Sequence, residues 1–136
     1  MPGLLVNIDV PDLVQGERFY TAALDLHTGR HLGDGFLELC GAPVPIYLIE
    51  QPAGTVFAPG GHATRHYDRH WSPVHFDVVV ENLDAAVARA LEAGAVQEGV
   101  TVDAPYGRLA MFGDPFGHGF CLIEFNAQGY DAIADT

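Results

Sequence analysis

The sequence predicts an α+β fold made of two copies of a β-α-β-β-β module. Shifting the 136-residue chain by 70 positions superposes two similar segments, so that Asp12-Leu13 falls on Asn82-Leu83. Each segment starts with an alternating, strand-like run and continues into a stretch with helical spacing of apolar residues. Three further strand-like runs follow each helical stretch. Together these observations predict a duplicated unit within one domain, residues 1–136.

The first module is predicted at residues 4–50. Its opening strand alternates apolar Val6, Ile8 and Val10 with polar Asn7 and Asp9, so we expect the apolar set to pack against a helix. A helix is predicted over 13–24, with Asp12 as its N-cap. Strands are then predicted over 27–32, 35–40 and 44–50, with a turn at 33–35.

The second module is predicted at residues 73–126. Phe76, Val78 and Val80 form the apolar face of its first strand, while His75 and Asp77 lie on the opposite face. The helix is predicted over 83–93, between the cap Asn82 and the terminating Gly94. The remaining strands are predicted over 96–102, 107–113 and 118–125, with a turn at 114–117.

Residues 51–72 connect the modules and are rich in Gly, Pro and His. His62, His66 and His70 recur every four residues, which on a helix would place two of them on one face able to grip a metal. Two interpretations remain open. The segment is either a solvated or dimer-contacting loop, or a loop that closes over a binding cavity, where Arg65 or Arg69 meets an anionic group of a ligand.

Composition limits the possible partners. The chain has 18 acidic against 6 basic residues, a net charge of -12, and all six basic residues are arginine. Lysine-based catalysis is therefore excluded, and neither nucleic acid nor an anionic membrane surface is an expected partner. The N-terminal residues carry no targeting signal, and Cys40 and Cys121 match no metal or redox spacing. We expect a cytoplasmic protein.

Three short motifs occur in a characteristic order. They are Val10-Pro11-Asp12-Leu13 at the entry to the first helix, Phe19-Tyr20 within it, and the late turn Asp114-Pro115-Phe116-Gly117-His118. With the doubled module they resemble the vicinal oxygen chelate superfamily, which includes glyoxalase I, extradiol dioxygenases, and bleomycin and fosfomycin resistance proteins. The resemblance covers about residues 4–126. It implies a U-shaped mixed sheet around a cavity, the glyoxalase/bleomycin-resistance/dioxygenase fold, and a homodimer.

The resemblance also implies four metal-ligand positions, which in this chain hold Leu5, Tyr47, His75 and Cys121. Leucine cannot bind a metal, so we expect a degraded metal site and no resident cofactor. Glu50 and Glu124 lie nearby in sequence, but their parity places them on the opposite strand face. The alternative is a non-standard divalent-metal site in which His75 acts with Asp77 or Cys121.

The resulting prediction is a small-molecule-binding protein of this superfamily. The candidate pocket residues are Asn7, Asp9, Tyr47, His75, Asp77, Cys121, Arg65 and Arg69. Sequestration of a ligand and metal-independent turnover both fit this prediction. The alternative is a metal-dependent lyase or isomerase resembling glyoxalase I. An extradiol dioxygenase ranks below both, because it needs two His and one Glu around iron and only His75 aligns.

Overall fold

The chain folds into two compact units, residues 1–68 and 69–136, in a computed structural model that describes residues 1–135. The first unit contains β1 (Val6–Val10), α1 (Leu13–Leu24), β2 (His27–His31), β3 (Phe36–Cys40) and β4 (Ile46–Glu50). The second contains β5 (Phe76–Val79), α2 (Leu83–Ala93), β6 (Val96–Gln97), β7 (Val102–Ala104), β8 (Gly107–Gly113), β9 (Gly119–Phe125) and a 3₁₀ helix (Gly129–Ile133). The predicted α+β fold with a repeated β-α-β-β-β order is confirmed.

Each unit forms its own mixed sheet. In the first, the strand order is β1-β4-β3-β2, with β1 parallel to β4 and the other pairs antiparallel. In the second, the order is β5-β9-β8-β6, and β7 also pairs with β8. There β5 is parallel to β9, so the first and last strands of each unit are neighbours.

Both helices begin and end where the sequence predicts. The side chains of Asp12 and Asn82 accept hydrogen bonds from the third backbone N–H beyond them, at 2.9 and 3.1 Å. Gly94 ends α2 in the left-handed conformation, which glycine adopts without steric cost. A second acceptor lies at each helix start, because Glu50 accepts from Leu13 N at 2.8 Å and Glu124 from Leu83 N at 2.7 Å.

The core of the first unit lies between α1 and one face of its sheet. Val10, Leu37 and Leu48 are buried there, as the alternation of β1 and β3 requires. The helix approaches closely at Gly16, where a Cβ atom would lie 3.0 Å from a methyl group of Val10. Burying apolar side chains of this size stabilises the unit by about 1.5–3 kcal/mol each. Because α1 is the one helix in residues 1–68 and lies on this face, the opposite face of the sheet carries no helix from this unit.

The second unit repeats this arrangement. Leu83, Ala86 and Ala90 form the buried face of α2, which packs over β8 and β9. Phe112 and Leu122 are buried beneath it, and the rings of Phe112 and Phe120 are stacked at 5.5 Å. Within residues 1–135, no helix is both long enough and apolar enough to cross a membrane.

Two details differ from the sequence prediction. The strand predicted over 96–102 is split into β6 and β7, because Gly99 takes a positive φ of 79° and residues 98–101 leave the sheet. Phe76, predicted to pack against the helix, is half exposed. It starts the edge strand β5, whereas α2 packs over the more central β8 and β9.

Candidate functional site

The helix-free face of the first sheet carries the polar residues of alternating strand positions. The register places Asn7 beside Tyr47, and Tyr47 beside Glu38 on the next strand. Because neighbouring residues in register project to the same face, these three side chains share the face opposite α1. Asn7 and Tyr47 were predicted to lie together, and the register brings them together.

Tyr47 belongs to a hydrogen-bonded cluster with Glu38 and Arg30. Its hydroxyl lies 3.4 Å from Glu38 Oε2, and Arg30 donates to both carboxylate oxygens of Glu38, at 3.0 and 2.6 Å. The hydrogen bonds from Arg30 lower the pKa of Glu38 to about 2. Gly29 makes room for this cluster, since a Cβ atom there would lie 2.6 Å from Glu38 Oε1. The Tyr47 hydroxyl therefore already has a carboxylate partner.

Asp9, on the same face, forms an ion pair with Arg65 of the connecting segment. Arg65 Nε donates to Asp9 Oδ2 at 2.7 Å, and Arg65 Nη1 donates to the carbonyl of Val56 at 2.7 Å. The Arg65 side chain is only 12% exposed. Asp9 and Arg65, which were named separately from the sequence as candidate ligand-binding residues, thus bind each other. The role of Arg65 toward an anionic ligand stays a prediction.

His75, Asp77 and Cys121 come together on the second sheet. Asp77 on β5 is in register with Cys121 on β9, and one ligand atom from each of the three residues lies within 4.8 Å of the others. His75 Nε2 is 3.5 Å from Asp77 Oδ1. Glu124, three residues beyond Cys121, bonds to the start of α2, so this trio lies on the helix-free face.

The Cys121 thiol is protonated at neutral pH. Burial, together with the negative charge of Asp77, raises its pKa to about 11. A nucleophilic cysteine requires a thiolate, which nearby cations or a helix N-terminus stabilise. The surroundings of Cys121 do the reverse, so the thiol is poorly suited to act as a nucleophile.

Arg69 forms an ion pair with Glu98. Arg69 Nη2 donates to Glu98 Oε2 at 2.7 Å, and Trp71 Nε1 donates to the same oxygen at 2.8 Å. Trp71 lies against Gly119, where a Cβ atom would be 2.5 Å from the indole. The rings of Trp71 and His75 also meet in a T-shaped contact, with the ring centroids 5.7 Å apart. Trp71 therefore links the Arg69–Glu98 pair to the trio.

The three regularly spaced histidines of the connecting segment form no metal site. Residues 62–70 contain no helix, so the four-residue spacing does not align the imidazoles. Within residues 1–135 the sole cluster of three potential ligands is His75, Asp77 and Cys121. In the first unit, the metal-ligand positions implied by the resemblance hold Leu5, which is exposed, and Tyr47, which is buried. Glu50 and Glu124 accept hydrogen bonds from the helix starts and project away from the helix-free faces, as their parity predicts.

Sequence reasoning missed three charged residues at these faces, namely Arg30, Glu38 and Glu98. A signal existed for Glu38, because Leu37 and Leu39 alternate with it and are buried. The pairing of Glu98 with Arg69 joins residues 29 positions apart, and no periodicity announces such a contact.

Comparison with known proteins identifies relatives of this fold. Residues 5–123 match the family model described as a glyoxalase-like domain. The anthracycline biosynthesis protein DauV from Streptomyces sp. (strain C5) is 35% identical over 135 residues, covering 96% of this chain and 43% of DauV. The chain thus spans less than half the length of this curated relative.

Solved structures share the fold at lower identity. The antibiotic binding protein TnmS3 from Streptomyces sp. CB03234 superposes with a TM-score of 0.65 at 21% identity, over 93% of this chain and 97% of TnmS3. A variant of the fosfomycin resistance protein FosX from Listeria monocytogenes, complexed with Mn(II) and 1S,2S-dihydroxypropylphosphonic acid, gives 0.70 at 16% identity, over 94% of each chain. The family match, the duplicated module and these neighbours agree, and the chain is a member of the glyoxalase-like domain family within the vicinal oxygen chelate superfamily.

Proposed function

We propose that this protein binds a small organic molecule on the helix-free faces of its sheets without a resident metal. The observation that carries the proposal is the identity of the residues at the implied metal-ligand positions of the first unit. Of the two positions that the resemblance assigns to metal ligands there, one is Leu5, which has no donor atom, and the other is Tyr47, whose hydroxyl is bonded to Glu38. These residues do not fit the four-ligand site of metal-dependent relatives.

The polar groups of the first sheet suit ligand recognition better than metal binding. Arg30 neutralises Glu38, so little negative charge is left to attract a cation. Phe36 packs edge-on to Tyr47, with ring centroids 5.4 Å apart. Asn7 adds an amide that both donates and accepts hydrogen bonds. Aromatic surface with a few oriented polar groups is typical of a small-molecule site.

The second sheet offers comparable features. His75 and Asp77 are partly exposed, and Trp71, which is also partly exposed, adjoins His75. The imidazole and the carboxylate provide hydrogen bonds, and the indole provides apolar area. The names of two relatives support this class of function, because TnmS3 is an antibiotic binding protein and DauV belongs to anthracycline biosynthesis. An antibiotic-like aromatic compound is the ligand class we infer.

The test combines metal analysis with ligand titration. Protein purified without a His-tag is assayed for transition metals and then titrated with daunorubicin, an anthracycline, by fluorescence quenching. We expect substoichiometric metal and saturable binding that EDTA does not change. His75→Ala should weaken binding about 5- to 10-fold, as expected for one lost hydrogen bond near 1 kcal/mol. His62→Ala, on the exposed connecting segment, is the matched control. Stoichiometric metal, or binding that EDTA abolishes, would contradict the proposal.

A second candidate is a metal-dependent lyase or isomerase, and one observation favours it. His75, Asp77 and Cys121 place N, O and S donor atoms within 4.8 Å of one another. Such a mixed donor set suits a transition metal such as Zn²⁺, provided that the metal displaces the thiol proton. Equilibrium dialysis against Zn²⁺ distinguishes the candidates. Micromolar binding that Cys121→Ser and Asp77→Asn both remove favours the second candidate.

A further inference from the structure

The connecting segment of the first unit contains an ordered hairpin. Gly54 N donates to the carbonyl of Arg65 at 2.8 Å, and Arg65 N donates to the carbonyl of Thr55 at 2.7 Å. An antiparallel bridge joins Val56 to Thr64, and a further bond runs from Phe57 N to the carbonyl of Ala63. Residues 54–65, which we call the arm, therefore have a defined backbone conformation.

Arg65 fastens the arm to the first sheet. Besides the ion pair with Asp9 and the bond to the Val56 carbonyl, Arg65 Nη1 lies 3.3 Å from Thr55 Oγ1. A charge-assisted bond of this kind has a well-defined direction. Since Asp9 belongs to the helix-free face of β1, the Arg65 guanidinium lies on that side of the sheet. The positive charge of Arg65 is therefore balanced by the carboxylate of Asp9.

Phe57 of the arm contacts that guanidinium and is largely exposed to solvent. The guanidinium carbon of Arg65 is 4.8 Å from the centre of the Phe57 ring, a cation–π contact. Phe57 is 57% exposed, the highest value for any phenylalanine in residues 1–135. A ring in this position contributes little to the core, yet a partly buried ion pair and a hydrogen-bonded backbone hold it in place. Preorganised aromatic surface of this kind favours binding, because little side-chain entropy is lost when a ligand covers it.

We propose that Phe57 is a ligand-stacking residue and that the ligand is a planar aromatic molecule, neutral or cationic. This inference rests on the proposed function and narrows its ligand class. The charge follows from the arginines on this face, since Arg65 is bonded to Asp9 and Arg30 to Glu38. An anionic ligand would have to compete with those carboxylates and would approach a chain of net charge -12.

The test uses two planar probes of opposite charge. Proflavine, a planar cation, and anthracene-9-carboxylate, a planar anion, are titrated by fluorescence into the full chain and its variants. We expect Phe57→Ala to raise the Kd for proflavine about tenfold, equivalent to about 1.4 kcal/mol and within the range of aromatic stacking. Phe57→Trp should bind within about twofold of the original protein. Val56→Ala removes a neighbouring exposed side chain from the same arm and is the matched control.

Each outcome decides a different question. Because Phe57 is largely exposed, all three variants should keep their melting temperature, which separates a binding role from a folding role. Proflavine binding that Phe57→Ala leaves unchanged would overturn the stacking role and leave the proposed function intact. Tighter binding of anthracene-9-carboxylate than of proflavine would overturn the assigned charge. A protein that binds neither these probes nor daunorubicin would overturn the inference and the proposed function together.

Discussion

Replacing Arg65 with alanine should destabilise the first unit, although the residue lies outside every helix and strand. The side chain is 12% exposed and its partner Asp9 27%, so the variant leaves a partly buried carboxylate without its cation. Breaking a fully buried pair costs about 3–5 kcal/mol, and an exposed pair about 0–1 kcal/mol. The lost bond to the Val56 carbonyl and the lost contact with Phe57 add to the loss, while water rehydrates part of Asp9. We expect a net loss of about 2 kcal/mol.

Urea unfolding at neutral pH, followed by circular dichroism, measures this loss. A change of about 2 kcal/mol corresponds to a fall of about 6–8 °C in Tm for a chain of this length. Asp84→Ala is the matched control, because Asp84 also pairs with an arginine, Arg108, at 3.1 Å, but its side chain is 83% exposed. We expect the control to change stability by less than 1 kcal/mol. Equal losses for the two variants would refute the argument that burial decides the effect.

Three further predictions concern other parts of the chain. The Cys121 thiol should resist iodoacetamide at pH 7.5 in the folded protein, because its pKa is raised to about 11, and mass spectrometry of modification from pH 7 to 11 checks this. The pKa of Glu38 is lowered from 4.5 to about 2, so its pairing with Arg30 stabilises the fold above pH 4.5, and this contribution is lost as the pH falls toward 2. The urea midpoints of the parent and Glu38→Gln should therefore differ at pH 7 and converge toward pH 2. A difference in midpoint that persists undiminished at pH 2 would contradict this role of the pairing. Gly107→Ala should destabilise more than Gly33→Ala in thermal unfolding, because both have positive φ but only at Gly107 would the new Cβ overlap the Glu124 carbonyl.

The parts of the fold that the sequence predicts well depend on local chemistry. Asp12 and Asn82 announce the helix starts because each caps a backbone N–H only three residues away. The strand at 107–113 is likewise predictable, because an uninterrupted strand-like run of residues ends there at a turn. By contrast, the break at Gly99 depends on how β6 and β7 both reach β8, which a single run of residues does not encode.

The candidate site was predictable only in part, for a similar reason. Alternation assigned Asp77 to the face opposite the helix, and the resemblance assigned Cys121 to a ligand position; in the register of β5 and β9 the two residues are neighbours. Alternation also assigned Asp9 to a face, but its partner Arg65 is 56 positions away and carries no periodic signal. The sequence thus indicates which side chains leave the core. Which of them neutralise one another depends on tertiary contacts.

The parallel pairing of β1 with β4 has a consequence for synthesis of the chain. The last strand of the first unit ends at Glu50, which also caps the backbone at Leu13, so every strand and the helix of that sheet are present once residue 50 has been made. Nothing in this sheet waits for a strand from the second half. Because translation proceeds at about 5–20 residues per second, several seconds separate completion of the two sheets. The first sheet can therefore form while the second is still being made, and a nascent chain whose first unit has fully left the ribosome should already protect the backbone amides of β1 and β4 from exchange.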